Sequence, residues 1–435
     1  MIVGFIWGLI MWLIPVVATI ILGYVAWKLW VHYIRQNFIS GIEWSMLEIT
    51  PPRDVLRSPK GMELFITNAL YHWSEKGGKE EYWQGAVWFW HSLEIASIDG
   101  NVHFYIRTPS RIRELVETQM YAQYPQAQVR VVEDYTLGVD KITKDSDWRL
   151  WGCEFRLEKP DVFPLKTYVD FGLDKDPKEE FKVDPISSVI ELFGSIQKGE
   201  QMWMQIVVRP SKQEYGGGLF KKGHDWVVEG TEVIKKVLEP YTGSKARAEA
   251  DPIGGISKEI RAPGFLDEMI KASGRKMTKL GFDTGVRICY VARKEIFPFP
   301  FGPRNNNSRN IRLIFRQYAN PFSNQWMRFN NTQADAYNSY FTASPETIII
   351  MCNRMLNEYR ERMFFYPPLR HYIFNKHTVF FPLNLWVKPF FHSEIFVLNT
   401  EELATMWHFP GQILKVPSFE RIESIEAAPP PNLPM

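Results

Sequence analysis

Basic residues are the one class of potentially reactive side chain that gathers locally in this chain. Lys212, Lys221, Lys222, Lys235, Lys236, Lys245, Arg247, Lys258, Arg261, Lys271, Arg275, Lys276 and Lys279 fill a Gly-rich stretch, diluted by Glu229, Glu232, Glu239, Glu249, Asp251, Glu259, Asp267 and Glu268. A small cationic excess of that kind suits a solvated helical surface or anionic headgroups, and phosphate contact is the sharper alternative. Arg309, Arg312 and Arg316 fall on one face of a predicted helix that buries Ile311 and Phe315, so they too are candidates for meeting phosphates, with a solvated outer face as the plainer reading. Lys221 and Lys222, with these three arginines, are the nucleic-acid candidates.

Other chemistry lacks its spacing. Gly216-Gly217-Gly218-Leu219-Phe220-Lys221-Lys222 does not end in Gly-Lys-Ser/Thr, and Gly274-Arg275-Lys276-Met277-Thr278 has no glycine at the upstream position a phosphate-binding loop needs. The histidines form no His-Glu-x-x-His and no i, i+4 pair, so no metal ligand set is legible. Cys153, Cys289 and Cys352 lie far apart without a Cys-x-x-Cys, which fits a reducing compartment and small core residues. With 51 Lys and Arg against 49 Asp and Glu, the formal charge of +2 gives no global attraction to nucleic acid. The sequence predicts no cofactor, no metal and no catalytic residue.

The elements that would position these groups begin with an anchor. Met1 to Trp27 is uncharged and exceeds the roughly 20 apolar residues of a spanning helix. Pro15 is tolerated there as a kink. Lys28, His32 and Arg35 follow the run and nothing basic precedes it, so residues 1–34 are predicted to span an inner membrane once, N-terminus outside, with the bulk of the chain cytoplasmic. A signal peptide would need a basic start, a shorter apolar core and a small-x-small cleavage site.

Behind the anchor the periodicity predicts an α+β fold of two ferredoxin-like, split βαβ units. Residues 42–140 read as strand (Trp44 to Ile49), helix (Met62 to Trp73), strand (Val87 to Ile98), a hairpin at Asp99-Gly100, strand (Val102 to Arg107), a helix capped by Thr108-Pro109 that buries Ile112, Leu115, Val116, Gln119 and Met120, and strand (Val129 to Val132). Residues 148–335 repeat the order. Trp151 to Leu157, a helix opened by Asp184-Pro185, Met202 to Val208, Val286 to Val291, a helix through Ile311 and Tyr318, and Trp326 to Phe329 are interrupted by the basic, helical insertion 211–281. Residues 336–426 are predicted as a C-terminal helical and aromatic segment, with a helix from Pro345, a strand from Glu394 to Leu398 and a short helix capped by Asn399. Residues 427–435 form a Pro-rich linker or tail.

Leu398-Asn399-Thr400-Glu401-Glu402-Leu403-Ala404-Thr405-Met406-Trp407-His408-Phe409-Pro410, with Pro429-Pro430-Pro431-Asn432-Leu433-Pro434 after it, resembles the end of the membrane-proximal region in HerA/FtsK-like ATPases of the type IV secretion and conjugative coupling-protein kind. Phe104-Tyr105-Ile106-Arg107-Thr108-Pro109, Gln119 to Pro125, and Pro164 to Asp170 are similar to the same family's N-terminal part. In that family the junction precedes the nucleotide-binding domain, whereas this chain stops at Met435. The resemblance therefore implies either a separately encoded ATPase that docks here or a chain cut at the domain boundary. It implies a membrane-anchored, non-enzymatic platform, assembled as a homo-oligomer in contact with membrane lipid, that holds such an ATPase for export of DNA or protein. Glu401, Glu402, Trp407, His408, Phe409 and Pro410 are the implied docking residues. The alternative is a DNA-binding module using the basic insertion and Arg309, Arg312 and Arg316.

Overall fold

The structure, a computed structural model, describes residues 2–52, 58–72, 77–174, 183–211, 225–242, 264–298, 307–332, 345–366 and 394–411, and the side chains of the first helix from Trp12 onward. The Pro-rich tail, Lys221, Lys222 and most of the aromatic stretch after Tyr366 lie outside the described residues. The chain divides into two units, 1–43 with 73–89 and 365–392, and the remainder.

The first unit holds α1 (Ile2–Ser40), with Pro15 inside it. Pro15 has no N–H to give the carbonyl four residues before it, a loss that a spanning helix tolerates as a kink, and one turn later Thr19 Oγ1 back-bonds to Pro15 O at 2.8 Å. Within Trp12–Ser40 the most apolar window averages 1.8 in hydropathy and is almost wholly exposed, while Val31, His32 and Ile34 nearer the C-terminal end are buried, so by length and composition the helix can cross a membrane. A second short helix, α3 (Gly78–Trp83), lies against it.

The second unit is α+β, built on one antiparallel sheet. Its strands are β1 (Trp44–Thr50), β2 (His91–Ile98), β3 (Asn101–Pro109), β4 (Gln128–Val132), β5 (Trp148–Leu157), β6 (Glu200–Pro210), β7 (Gly281–Arg293), β8 (Trp326–Phe329) and β9 (Phe396–Asn399). They are ordered β4-β1-β3-β2-β6-β7-β5-β8, with β9 beside the first residues of β7. Each half places its four strands in the same relative order. The halves meet strand to strand from His91↔Val208 to Ile98↔Gln201, an arrangement that hides one edge of each half and puts the short β4 and β8 at the two ends of the strand order.

One face of the sheet is apolar. Leu93, Ile95, Phe104, Ile106, Met204, Ile206, Val286, Ile288 and Tyr290 pack beneath α2 (Lys60–Phe65), α4 (Arg113–Gln123), α5 (Pro185–Gly194), α8 (Asn307–Leu313) and α10 (Thr400–Met406). The helix α5 shows why: Asp184 caps it through Ile186 N at 3.0 Å, Pro185 occupies its first turn, and Ile186, Val189, Ile190 and Phe193 lie on one stripe. Burial of each such side chain stabilises by about 2 kcal/mol. The Asp99-Gly100 turn has φ of 54° and 88°, the positive pair a two-residue hairpin requires.

Three local readings change. β2 starts at His91 rather than Val87, because β3 and β6 end in Pro109 and Pro210, which donate no ladder hydrogen bond. Thr108 and Pro109 pair with Ser45 and Trp44 inside the sheet, so α4 begins after a 3-10 turn, Ser110–Ile112, and buries Val116 and Met120 while Leu115 stays exposed. β6 and β7 are longer than the alternation suggests, since both faces of these central strands are covered and the polar half of the pattern disappears. The C-terminal segment joins the sheet unit: α9 (Pro345–Glu361) packs on β5, and β9 and α10 belong to the same unit. Within the insertion, α6 (Trp226–Thr242) and α7 (Gly264–Met277) pack on Val162 and Phe163 as a small second core.

Candidate functional site

The C-terminal block is built by a reciprocal cap. Asn399 accepts from Glu402 N at 2.8 Å and Glu402 accepts from Asn399 N at 3.0 Å, fixing α10 where β9 ends against Gly281. Every residue of α10 is buried there. Trp407 donates to Glu94 O at 3.2 Å and meets Phe104 edge-on at 5.7 Å, Phe409 meets Tyr124 at 4.9 Å, and His408 contacts Ala404 O and Asp184, each at 2.9 Å. Glu401, Glu402, Trp407, His408, Phe409 and Pro410 are all inside the fold. The expectation of a docking face at these six residues is therefore corrected to a structural role, because apolar and paired side chains of this block complete the core.

The acids of that block face the bases of the insertion. Lys276 Nζ lies 2.9 Å from Glu402, both with fully buried side chains, and Glu402 also accepts from Leu165 N at 2.8 Å. Glu401 meets Lys279 at 2.8 Å, Arg275 at 3.3 Å and the Thr167 hydroxyl at 2.5 Å. Lys279 continues to Glu63 at 2.6 Å, which also accepts from Tyr168 and Thr400. Burial alone would lower the Lys279 pKa, but its bonds to Glu401 and Glu63 outweigh it and hold the ammonium charged. Arg275, Lys276 and Lys279 are thus neutralised within the protein, and the free positive charge of the insertion is smaller than composition suggests.

Two features beside this network bear on function. Asp161 accepts from Val397 N at 2.9 Å, and burial pushes its pKa up to about 6 against the pull of Lys276. A carboxyl titrating near neutrality is the kind used as a general acid or base, yet Asp161 does not line the adjoining cleft. That cleft, of about 500 Å³, is bordered by Asp170, Arg275, Lys271, Glu268, Phe265 and Phe322. Arg275 joins Asp170 at 3.2 Å to Glu401, and the Thr167 hydroxyl also bridges these two carboxylates, so the buried block is linked to the cleft through both groups. Phe265 and Phe322, both among its lining residues, lie ring to ring at 5.6 Å with their planes tilted by 33°, and are 45% and 63% exposed. Large apolar rings left in water beside mixed charges suit an amphipathic protein segment.

The arginine candidates separate. Arg309 and Arg316 are exposed, whereas Arg312 is half-buried with its guanidinium 5.5 Å from the Trp151 ring. Burial, then Arg328 and Arg309, lower the Arg312 pKa. Arg328, on the edge strand β8 and exposed, is a neighbour that the sequence did not offer; Arg316 is not among the groups acting on Arg312.

Sequence reasoning also missed a charged layer on the face of the sheet away from the apolar core. Arg287 binds Glu154 at 2.6 Å and Glu358 at 3.0 Å beneath the Phe364 ring. Arg362 binds Glu94 at 2.8 Å and pairs with Asp134, while Ser92, Gln205 and Tyr135 also donate to Glu94. The signal was present as charges flanked by apolar residues within strands: Glu94, Glu154 and Arg287. Buried charges fully partnered in this way hold elements in register rather than reacting. The three cysteines are buried, and burial raises each thiol, Cys352 to about 12, so none is a ready thiolate. Among the described residues no three His, Cys, Asp or Glu side chains gather to hold a metal ion.

Comparison with known proteins gives one match. A family model described as a domain of unknown function (DUF8128) covers residues 38–236, from the end of α1 through β6 and into α6. No curated protein and no solved structure matches the chain.

Proposed function

We propose that this chain is a membrane-anchored, non-catalytic platform of an export machine of the type IV secretion or conjugation kind, holding a HerA/FtsK-like ATPase at the cytoplasmic face. The observation that carries the reading is the pairing of an exposed apolar helix long enough to span a bilayer with a sheet unit whose interior charges are tied to one another. A body so cross-linked supplies rigidity and position. The 4-1-3-2 strand order in each half supports describing the halves as ferredoxin-like units joined through β2 and β6. The positive residues after Trp27 support an inner-membrane anchor with its N-terminus outside.

With the 401–410 block buried, the ATPase is proposed to meet the cleft beside Arg275, where Phe265 and Phe322 are open. Assembly as a homo-oligomer belongs to the same proposal. Affinity purification from solubilised membranes should recover a Walker-type ATPase, and Phe265→Ser with Phe322→Ser should weaken its recovery. Repeated purification without such an ATPase, or nucleotide turnover by the pure chain, would count against the platform.

A second reading, in which the chain guides DNA, is favoured by half-buried Arg312, on which exposed Arg328 and Arg309 act as neighbouring positive charges. Binding of the full chain to duplex DNA should weaken with salt, and Arg312→Ala should lower the log-log slope by about 1. A salt-insensitive or absent interaction would exclude this reading.

A further inference from the structure

The short helix α3 presents a surface that packing within its own unit does not explain. None of its six residues is buried, and Trp83 is 64% exposed. Yet α3 is held firmly against α1. Arg35 Nη2 pairs with Glu81 at 2.8 Å, Glu80 accepts from Gly77 N at 3.2 Å, and the chain leaves α3 through Gly85 at φ +70°, where an added Cβ would lie 2.3 Å from Ile34 O. Only glycine permits that approach. The fold thus uses an ion pair and a constrained glycine to hold two large rings in the open.

Their level along α1 identifies what they meet. Trp27 lies 5.9 Å from Tyr82 and 6.4 Å from Trp83, ring centre to ring centre. Trp27 is also the last residue of the uncharged run, since Lys28 follows with its ammonium 5.4 Å from the Tyr24 ring. From Ile2 to Trp27 a helix rises about 39 Å, more than the roughly 30 Å of hydrocarbon it would cross, so Trp27 falls at the headgroup boundary. Rings in contact with Trp27 share that boundary. Tyr and Trp, apolar in body with one polar tip, are the side chains that partition there.

We propose that α3 is an interfacial foot: Tyr82 and Trp83, with Trp27, insert among phospholipid headgroups and give the chain a second, non-spanning contact with the leaflet through which α1 emerges. The proposal rests on the reading of α1 as a membrane span. Lys79, Glu80 and Glu81 leave α3 without a cationic excess, so the contact is aromatic and neutral phosphatidylcholine suffices for it.

The test uses the full chain in phosphatidylcholine vesicles, with the polarity-sensitive fluorophore NBD attached at Trp83→Cys, at Leu22→Cys within the apolar run, or at the exposed Asp145→Cys. Cys153, Cys289 and Cys352 are buried and leave the new thiols as the reactive ones. Nitroxide lipids quench from either the headgroup or the deep acyl position. The foot predicts quenching at position 83 at least several-fold above that at position 145, strongest from the headgroup nitroxide, with position 22 quenched from the deep one. Position 83 behaving like 145 while position 22 is quenched would overturn the foot and leave the anchor standing. A blue-shifted label at 83 that no lipid nitroxide quenches would assign the face to protein and overturn it equally. Loss of quenching at position 22 as well would remove the anchor and the foot together.

Discussion

His91 opens β2 with its imidazole on the core side, 1% exposed, and neither ring nitrogen has a hydrogen-bond partner among the described residues. Burial, with the nearby His72 ring at 5.9 Å adding a little, lowers its pKa to about 3. The unfolded chain has no such burial and takes up a proton near pH 6.5. The folded pKa is depressed, so the unfolded state binds the extra proton first and stability falls as pH drops below about 6.5 toward 3. Between pH 7 and pH 5 this one group removes about 2 kcal/mol, from 1.36 kcal/mol per pH unit over the part of that interval in which the unfolded imidazole titrates. The assay is chemical denaturation of the detergent-solubilised chain at both pH values, for the parent and for His91→Leu, which keeps roughly the volume and removes the titration. Carboxylates and His72 contribute to both slopes and cancel in the difference. The parent should lose about 2 kcal/mol more than His91→Leu over the interval. Equal pH dependence in the two proteins would refute the reasoning, because it would mean His91 is protonated in the fold or reachable by water.

Asp161 carries the opposite sign. Its raised pKa of about 6 makes the ionised form a burden above that pH, and Asp161→Asn should stabilise the chain at pH 7 by up to about 3 kcal/mol, shrinking to below about 1 kcal/mol at pH 4; thermal melts at the two pH values measure the difference. Arg362→Met should cost about 3 to 5 kcal/mol by leaving Glu94 and Asp134 facing each other uncompensated, read as a lower denaturation midpoint, and a cost within about 0.5 kcal/mol would show the pair to be idle. Gly285→Ala places a Cβ about 2.3 Å from a Phe364 ring carbon and should cost about 1 to 3 kcal/mol. Adding Phe364→Ala should make the glycine substitution nearly neutral, a coupling that a double-mutant cycle measures.

Much of the local structure was legible in the sequence because its signals act between neighbours. Asp184-Pro185 starts α5, Asn399 with Glu402 starts α10, Asp99-Gly100 turns β2 into β3, and an uncharged run of one bilayer's length makes α1. Periodicity likewise gave the α+β class and placed β8 to the residue. Its failures cluster where coverage on both faces erased alternation, at the ends of β6 and β7, and where a residue had two local options, as Thr108 and Pro109 did between capping a helix and closing a strand.

What the tertiary structure alone decided is which distant groups meet. The motif of implied docking residues lies in the interior because β9 pairs with β7 across more than 100 residues, which sets Glu401 and Glu402 against Lys279, Arg275 and Lys276. A run of basic residues cannot reveal that its charge is already answered, since the answering carboxylates come from other elements. The same holds for Arg312 beside Arg328, for Glu94 beneath Arg362, and for Trp83 at the level of Trp27. Helix caps and apolar stripes are fixed within a few residues of chain, so sequence determines them. Ion pairs, clefts and shared levels depend on how separate elements pack, and only the folded chain settles them.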